Sequence, residues 1–394
     1  MRRNIWRLEE KITYNGTYCV ESIVKKLSQK VGKFNSNISI LSISIFLSHD
    51  QDEFYEVRKK IIIRIKDEFP ETPALSVIAQ KTTGGDGILL EANVIYNYTS
   101  DIAVSYESIN DEIFYTKVKA VDFDEYYFSG LTYNGTELSM ETRIEKAHSI
   151  LKNAFRKEGI GMYDIVRQWN YVEAITGSDK TKEDPVQNYQ VLNNIRHTYY
   201  SAYEFSGGYP AATGIGMHTG GFILDCLALK RKTEKLVIKL VKNPLQLSAY
   251  EYSQDVLNGS SSGVTVWHTP KFERAKIVQW AQGSYSVLIS GTAAIHNEKS
   301  LALGDAAEQT RITLDNIDKL IESASNMIKV DQGKSVNRVI KYLRVYIRNK
   351  NDVDIVSSIC NAYWKDTEPV YLIADICRAE LLVEIEGIVD LIPI

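Results

Sequence analysis

ISGTAAIHNEKSLALGDAAEQTRITLDNI, residues 289–317, decides the fold because its pattern already occurs once upstream. Residues 128–155 read FSGLTYNGTELSMETRIEKAHSILKNAF. Both stretches predict a strand closing on Ser-Gly, then a polar loop, then an amphipathic helix. At one offset of 163 positions (144 to 307), Ile144, Ala147, Leu151 and Ala154 align with Ala307, Thr310, Leu314 and Ile317. That i, i+3, i+7, i+10 stripe is the face a helix lays on a sheet. Asn153 and Asn316 fall in register as well.

Outward from these helices the correspondence continues. A strand follows each one, IVRQWNYVEAI from Ile165 and VIKYLRVYIRN from Val339. A Pro-initiated, hairpin-like segment then closes each copy, PAATGIGMHTGGFILDCLAL from Pro210 and PVYLIADICRAELLVEIEGIV from Pro369. Pro210 to Asp225 and Pro369 to Glu384 span the same distance. The first third holds a degenerate copy: the helix-like CVESIVKKLSQKVG, the strand ISILSISIFL, the helix EFYEVRKKIIIRI, then PALSVIAQKTTGGDGILLEANVI from Pro73. Glu91 stands there where Asp225 and Glu384 stand in the later copies. The expectation is an α+β chain of three tandem units, 1–118, 119–240 and 269–394, with a connecting loop at 241–268. Asn258–Gly263 (NGSSSG) is the most loop-like part of that connection.

Composition narrows the function classes. The 394 residues are 44% hydrophobic and 24% charged, with net charge −4, so there is no basic footprint for nucleic acid. No apolar run approaches the roughly 20 residues of a membrane helix. The opening MRRNIWRLEEKITYNG has no apolar core of a secretory leader, which predicts a cytoplasmic protein. Sequons at Asn15, Asn37, Asn97, Asn134 and Asn258 then read as chance matches. The four cysteines (19, 226, 360, 377) are far apart and the six histidines form no HxH or HxxxH pair. Neither a metal site nor a disulfide framework is expected.

With SGTAAI, the GDAAEQTRITLDNI helix and an Arg followed by VEIEG, the last unit resembles a RidA/YjgF domain. Such proteins are trimers with sites in the clefts between subunits, where an Arg placed as Arg378 holds a carboxylate. Three tandem units resemble that trimer folded into one monomeric chain. VRQWNYVEAI, NYQVLNNIRHTYY, PAATGIGM, NPLQLSAYEY, PKFERA, SGTAAI and ADICRAELLVEIEG together are similar to the chorismatases, over roughly residues 120–394. The resemblance implies a cofactor-free enzyme taking the small molecule chorismate to pyruvate and a hydroxybenzoate or a dihydroxycyclohexadiene carboxylate. It also implies Glu384 as the acid that protonates the enol ether. Pairing of Cys377 with Gly291 resembles the 3-hydroxybenzoate-forming type, in which the thiol acts as a proton relay.

Taken without the resemblance, the same residues leave alternatives open. Glu384 and Glu386 point to one face of a strand, and a carboxyl among Leu381, Leu382, Val383 and Ile385 should be hard to ionise. A half-exposed strand glutamate fits equally. Arg378 reads as a carboxylate fork or as an ion-pair partner for Asp375 or Glu380. Cys377 reads as a relay or as a small buried hydrophobe. Arg167, beside Trp169 and Tyr171, and Arg196, on a helix-like segment, are candidates for a second carboxylate or for structural pairing. Thr213, Gly214 and Gly216 suit close backbone approach to a ligand. His197, Tyr199 and Tyr200 read as packing residues. An imine or enamine deaminase of the RidA kind, or a non-catalytic ligand-binding protein, uses the same Arg and stays open.

Overall fold

Three times the chain runs strand, helix, strand, helix, strand, strand. The computed structural model describes all residues except 1, 12–15, 34–37, 49–50, 85–86, 97–98, 134–137, 179–185, 258–266, 281–282, 334 and 366. The five sequon asparagines and Asn258–Gly263 lie outside the described residues. The first unit comprises β1 (Arg2–Lys11), α1 (Gly16–Gly32), β2 (Ile38–Leu47), α2 (Gln51–Glu68), β3 (Ala74–Ile78), the short β4 (Lys81–Thr82) and β5 (Gly87–Tyr96). The second comprises β6 (Ala103–Ser108), β7 (Phe114–Lys119), β8 (Phe123–Leu131), α3 (Met140–Glu158), β9 (Ile165–Glu173), α4 (Asn188–Tyr200), β10 (Ala211–Met217) and β11 (Phe222–Arg231). The third has β12 (Val237–Val241), β13 (Ala275–Gln279), β14 (Tyr285–Ala293), β15 (Ile295–His296), β16 (Lys299–Ser300) and α5 (Ala306–Gln332). It continues with β17 (Val336–Ile347), α6 (Val353–Tyr363), β18 (Val370–Ile373) and β19 (Val383–Pro393).

Strand order repeats with the elements: β1-β5-β2-β3, β8-β11-β9-β10 and β14-β19-β17-β18. In each set the first strand pairs antiparallel with the last, the last antiparallel with the second, and the second parallel with the third. The first unit, weakest in sequence, keeps all of these elements. The Pro-initiated segments are not hairpins, however. β10 and β11 lie on opposite sides of β9, and β18 and β19 on opposite sides of β17. A parallel neighbour needs a crossover, which α4 and α6 supply.

Sheet pairing also moves the expected boundaries. β6 and β7 extend the second sheet beyond β8, so that sheet begins at Ala103 rather than at 119. β12 edges the third sheet through β13, although it falls inside the expected second unit. Consecutive antiparallel strands pair with their chain neighbours, and that rule overrides repeat length.

Each sheet packs one face on its own helices. Ile144, Ala147, Leu151 and Ala154 of α3 are buried against the second sheet, and Thr310, Leu314 and Ile317 of α5 against the third. Ala307 is only half-buried, Ala306 taking the buried position, and Asn153 is exposed whereas Asn316 is buried. That asparagine match was therefore accidental. Asn316 Nδ2 donates to the carbonyls of Ala293 and Ile295 and pins the end of β14.

The opposite sheet faces meet one another in the centre. Backbone pairing stitches the third unit to the others, through Leu372 and Ile373 with Thr82 and Lys81, and through Ile215 with Ile376. The Ser-Gly of the repeat is a β-bulge in both later units, where register shifts between Leu224 and Cys226 and between Ile289 and Thr292. At the first bulge Gly130 has φ +67, and a Cβ there would fall 2.3 Å from the Leu75 carbonyl oxygen of the neighbouring unit.

Candidate active site

β19 sends Val383 and Ile385 into the helix-packed core, so Glu384 and Glu386 face the centre of the molecule. Both are buried, and their surroundings push them in opposite directions. Glu386 accepts from Arg167 Nη2 at 2.5 Å, Arg344 Nη1 at 3.2 Å and Trp169 Nε1 at 3.0 Å. The Tyr342 and Tyr346 hydroxyls each donate at 2.9 Å, and the Thr213 hydroxyl donates as well. Burial alone would raise its affinity for a proton; the two guanidiniums and the hydroxyl donors outweigh burial and hold it below the ordinary carboxyl range.

This carboxylate links the three units. Arg344 Nε also donates to Glu91 Oε2 at 2.6 Å, and Arg7 Nε to Glu91 Oε1 at 3.1 Å. Arg7 and Glu91 come from the first unit, Arg167 and Thr213 from the second, Arg344 and Glu386 from the third.

Glu384 has no ion pair among the described residues and is 4% exposed. Burial first, and the charge of Glu386 second, push it up to about 8, against the opposing pull of Arg167, Arg274 and Arg348. At neutral pH it is mostly a neutral acid. Its seat is Gly291, where an added Cβ would fall 2.0 Å from Glu384 Oε1. Gly291 N donates to Thr213 Oγ1 at 3.0 Å, and that hydroxyl donates to Glu386. The bulge under the acid is thus fastened to the central carboxylate.

Glu384 closes one end of a cleft between the second and third units. The cleft encloses about 590 Å³ of atom-free space including its mouth. α4 supplies Tyr189, Gln190 and Asn193; the connection before β13 supplies Tyr252, Phe272 and Arg274; the third unit supplies Gly291, Cys377, Arg378 and Glu384. The connection is therefore a wall of the site. Gln190 Nε2 donates to the His268 carbonyl at 2.8 Å, and Ser253 donates through N and Oγ to Glu298.

Two guanidiniums face this cleft around one phenol. The Arg274 and Arg378 guanidinium carbons lie 5.5 and 5.2 Å from the Tyr252 ring centre. Arg274 Nη2 donates to the Tyr252 hydroxyl at 2.5 Å. Arg378 Nη1 donates to the Glu298 carbonyl at 2.8 Å, and its Nε and Nη2 have no protein partner among the described residues. Neither suggested ion pair for Arg378 forms: Asp375 pairs with Arg348, and Glu380 accepts from Ser300. Arg348 also donates to the carbonyls of Ile376, Arg378 and Leu381, which fixes the loop that carries Cys377 and Arg378. Cys377 is a neutral thiol, pushed up to about 12 by burial and then by Glu384, with Arg378 opposing.

Of the residues singled out from sequence, Glu384, Cys377, Arg378 and Gly291 share the cleft. Arg167, Arg196, Tyr171, Thr213 and Gly214 are not among the residues lining it. Arg167 is committed to Glu386, and Tyr171 accepts from Arg344 Nη1 at 3.1 Å. Arg196 is buried behind Asn193. Gly214 and Gly216 do allow close approach, but to protein: a Cβ would fall 2.9 Å from the Tyr189 ring and 2.6 Å from Asp375. His197 stacks on His268 with ring centres 3.7 Å apart. The sequence reading quoted PKFERA without singling out Arg274. The neighbouring Glu273 carboxylate accepts from Tyr209 N at 3.0 Å.

Comparison with known proteins follows the same geometry. A family model described as chorismatase FkbO/Hyg5-like, N-terminal, matches residues 110–228. A 3-hydroxybenzoate synthase of Streptomyces hygroscopicus is 32% identical over 243 residues, 59% of this chain and 65% of that protein. A chorismatase of the same organism is 30% identical over 248 residues, 61% of this chain and 66% of that one. A crystal structure of a chorismatase superposes over 99% of both chains with TM-score 0.64 and 20% identity. The chain is similar in sequence to chorismatases over these stretches, and similar in fold to one over its whole length. Its matches span just under two thirds of the curated relatives' length. The family-model segment carries α4, one side of the cleft, whereas Glu384, Cys377 and Arg378 lie beyond it. The likeness over the whole chain extends the chorismatase fold to that second side. Among the described residues no helix is long and apolar enough to cross a membrane.

Proposed function

We propose that this chain is a chorismatase, converting chorismate to pyruvate and 3-hydroxybenzoate. The observation that carries the reading is one cleft holding a neutral Glu384 carboxyl opposite two guanidiniums, Arg274 and Arg378. Chorismate is a dianion with an acid-sensitive enol ether. Two arginines match its two carboxylates, and a buried acid matches the enol-ether methylene.

In the proposed step Glu384 gives its proton to that methylene, a new C–H bond forms, and positive charge appears on the ether carbon as an oxocarbenium. The Glu384 carboxylate left behind is the base for the later proton removal. The ring hydroxyl adds to the ether carbon as its proton passes to the Glu384 carboxylate. The bond from that oxygen to the ring and the bond from the ether carbon to the original ether oxygen then break, and pyruvate leaves with the former hydroxyl oxygen. The oxygen kept on the ring takes a proton while the ring loses one and becomes aromatic. Pyruvic acid and a hydroxybenzoic acid together contain the atoms of chorismic acid, so no oxidant and no net water are needed. If water attacks instead, the product is the diol. The 3-hydroxy product is favoured by the Cys377–Gly291 pair and by the name of the 32% identical relative. Cys377, neutral beside Glu384, suits proton relay rather than nucleophilic attack, since a thiol and not a thiolate is present.

The test is incubation of the purified chain with chorismate. Pyruvate is followed by coupled reduction and the second product identified by chromatography. Equimolar pyruvate and 3-hydroxybenzoate are expected. Pyruvate with a dihydrodiol would reassign the product; turnover only of imines derived from 2-aminoacrylate would replace the activity altogether.

A further inference from the structure

We infer that Asn193 is a specificity-determining donor of the cleft, oriented by Arg196 so that it selects a substrate carrying a hydroxyl rather than an ammonium group on the ring. Asn193 lines the cleft from α4 and is fully buried. Its Oδ1 accepts from Arg196 Nη2 at 2.8 Å, and its Nδ2 is a buried atom with no hydrogen-bond partner. A guanidinium only donates, so it must face the amide oxygen, and the amide cannot turn over. The two N–H donors are therefore fixed on the side away from Arg196. An unsatisfied buried donor costs about 1–3 kcal/mol, which a ligand acceptor would recover.

The neighbouring α4 amide is already spent. Gln190 Nε2 donates to Asn194 Oδ1 and to the His268 carbonyl. Arg196 itself is buried and absent from the lining, so its effect reaches the cleft through Asn193. It is a positioning residue rather than a carboxylate ligand.

The inference rests on the chorismatase reading. With both carboxylates on Arg274 and Arg378, the polar groups of chorismate that remain are the ether oxygen and the ring hydroxyl. A hydroxyl can accept from Asn193. An ammonium at the same carbon has no lone pair and would face two donors, and a site built to satisfy one polar group rejects the analogue that leaves it unpaired. Asn193→Asp keeps an acceptor for Arg196 and turns the cleft-facing atom from donor to acceptor.

Wild-type and Asn193→Asp chains are compared on chorismate and on 4-amino-4-deoxychorismate, by kcat/KM and by equilibrium binding. Wild type is expected to prefer chorismate by roughly 100-fold, and Asn193→Asp to shrink or invert that ratio by a similar factor. Asn193→Ala, which offers neither donor nor acceptor, is expected to lose the preference without gaining the amino substrate. Arg196→Met, which frees the amide to turn, is expected to lose part of the preference. An unchanged ratio in Asn193→Asp and Asn193→Ala, with chorismate still turned over, overturns the role of Asn193 and leaves the activity standing. No binding or turnover of chorismate by wild type overturns the activity and this inference with it.

Discussion

Glu384→Gln should abolish turnover and make the chain more stable, by an amount that grows with pH. Burial holds this carboxyl at about 8, against an ordinary value of 4.5. Between those limits the folded chain keeps a proton that the unfolded chain releases. Stability contributed at this position therefore falls as pH rises from about 4.5 to about 8 and is constant beyond. At about 1.4 kcal/mol per pH unit, the full gap is worth about 5 kcal/mol, and the part developed by about pH 7 is worth about 3 kcal/mol. Glutamine has the same shape and no proton to lose, so the variant escapes the penalty. Urea unfolding of both chains at intervals from about pH 5 to about pH 8.5 measures the difference. It should be small at the acid end and reach several kcal/mol in favour of the variant at the alkaline end. The same group should set an alkaline limb near 8 in wild-type kcat/KM, since the proton to be donated is then gone. A stability difference that does not change with pH would show that Glu384 ionises normally, and the acid assignment would fall with it.

Gly291→Ala should leave the fold intact and lower kcat at least tenfold, because its Cβ displaces the mobile end of Glu384 and not backbone; circular dichroism beside steady-state kinetics checks both halves. Arg378→Lys and Arg274→Lys should each raise KM for chorismate roughly tenfold or more while folding normally, as an ammonium cannot reproduce the two-point fork; product-coupled kinetics decide it. Glu386→Gln should destabilise the chain by about 3–5 kcal/mol, since it strips a charge from Arg167 and Arg344 in a buried network. It should also move the alkaline limb of kcat/KM to lower pH, because the negative charge of Glu386 helps keep Glu384 protonated.

The repeat and the β19 carboxyls were legible because each follows from local rules: helical periodicity, strand alternation and a shared spacing from Pro to the acid. Roles for the arginines were not. Arg167 and Arg378 both read as carboxylate forks in sequence, and Arg344 was not singled out. Only the packing of three sheets shows that Arg167 and Arg344 meet glutamates of this chain and Arg378 meets a cleft. Arg274 and Asn193 carry no sequence signal of comparable strength, since their importance comes from contacts across unit boundaries. Glu386 could have been found: it shares a face with Glu384, and two carboxyls on one buried face need different partners. For the glycines of ATGIGM the failure was one of address, as the close approach is real but is made by Tyr189 and Asp375.

The three acidic positions of the repeat explain why a pseudo-trimer of similar units offers an acid in one cleft. Glu91, Asp225 and Glu384 occupy the same place on the last strand of their units, opposite Ser44, Trp169 and Tyr346. Glu91 is held by Arg7 and Arg344, so its charge is neutralised within the protein. Asp225 accepts from Gly130 N at 2.7 Å, the bulge glycine of its own unit, and burial pushes it up only to about 6. Glu384 has a glycine at the same bulge, but Gly291 N is turned instead to Thr213 and thence to Glu386. That diversion removes the backbone donor which would otherwise stabilise the charged acid. A second carboxylate two residues along then raises the proton affinity further. Replacing Thr213 with valine should therefore release Gly291 N, make Glu384 easier to ionise and cost activity, without any change in the residues that face the cleft.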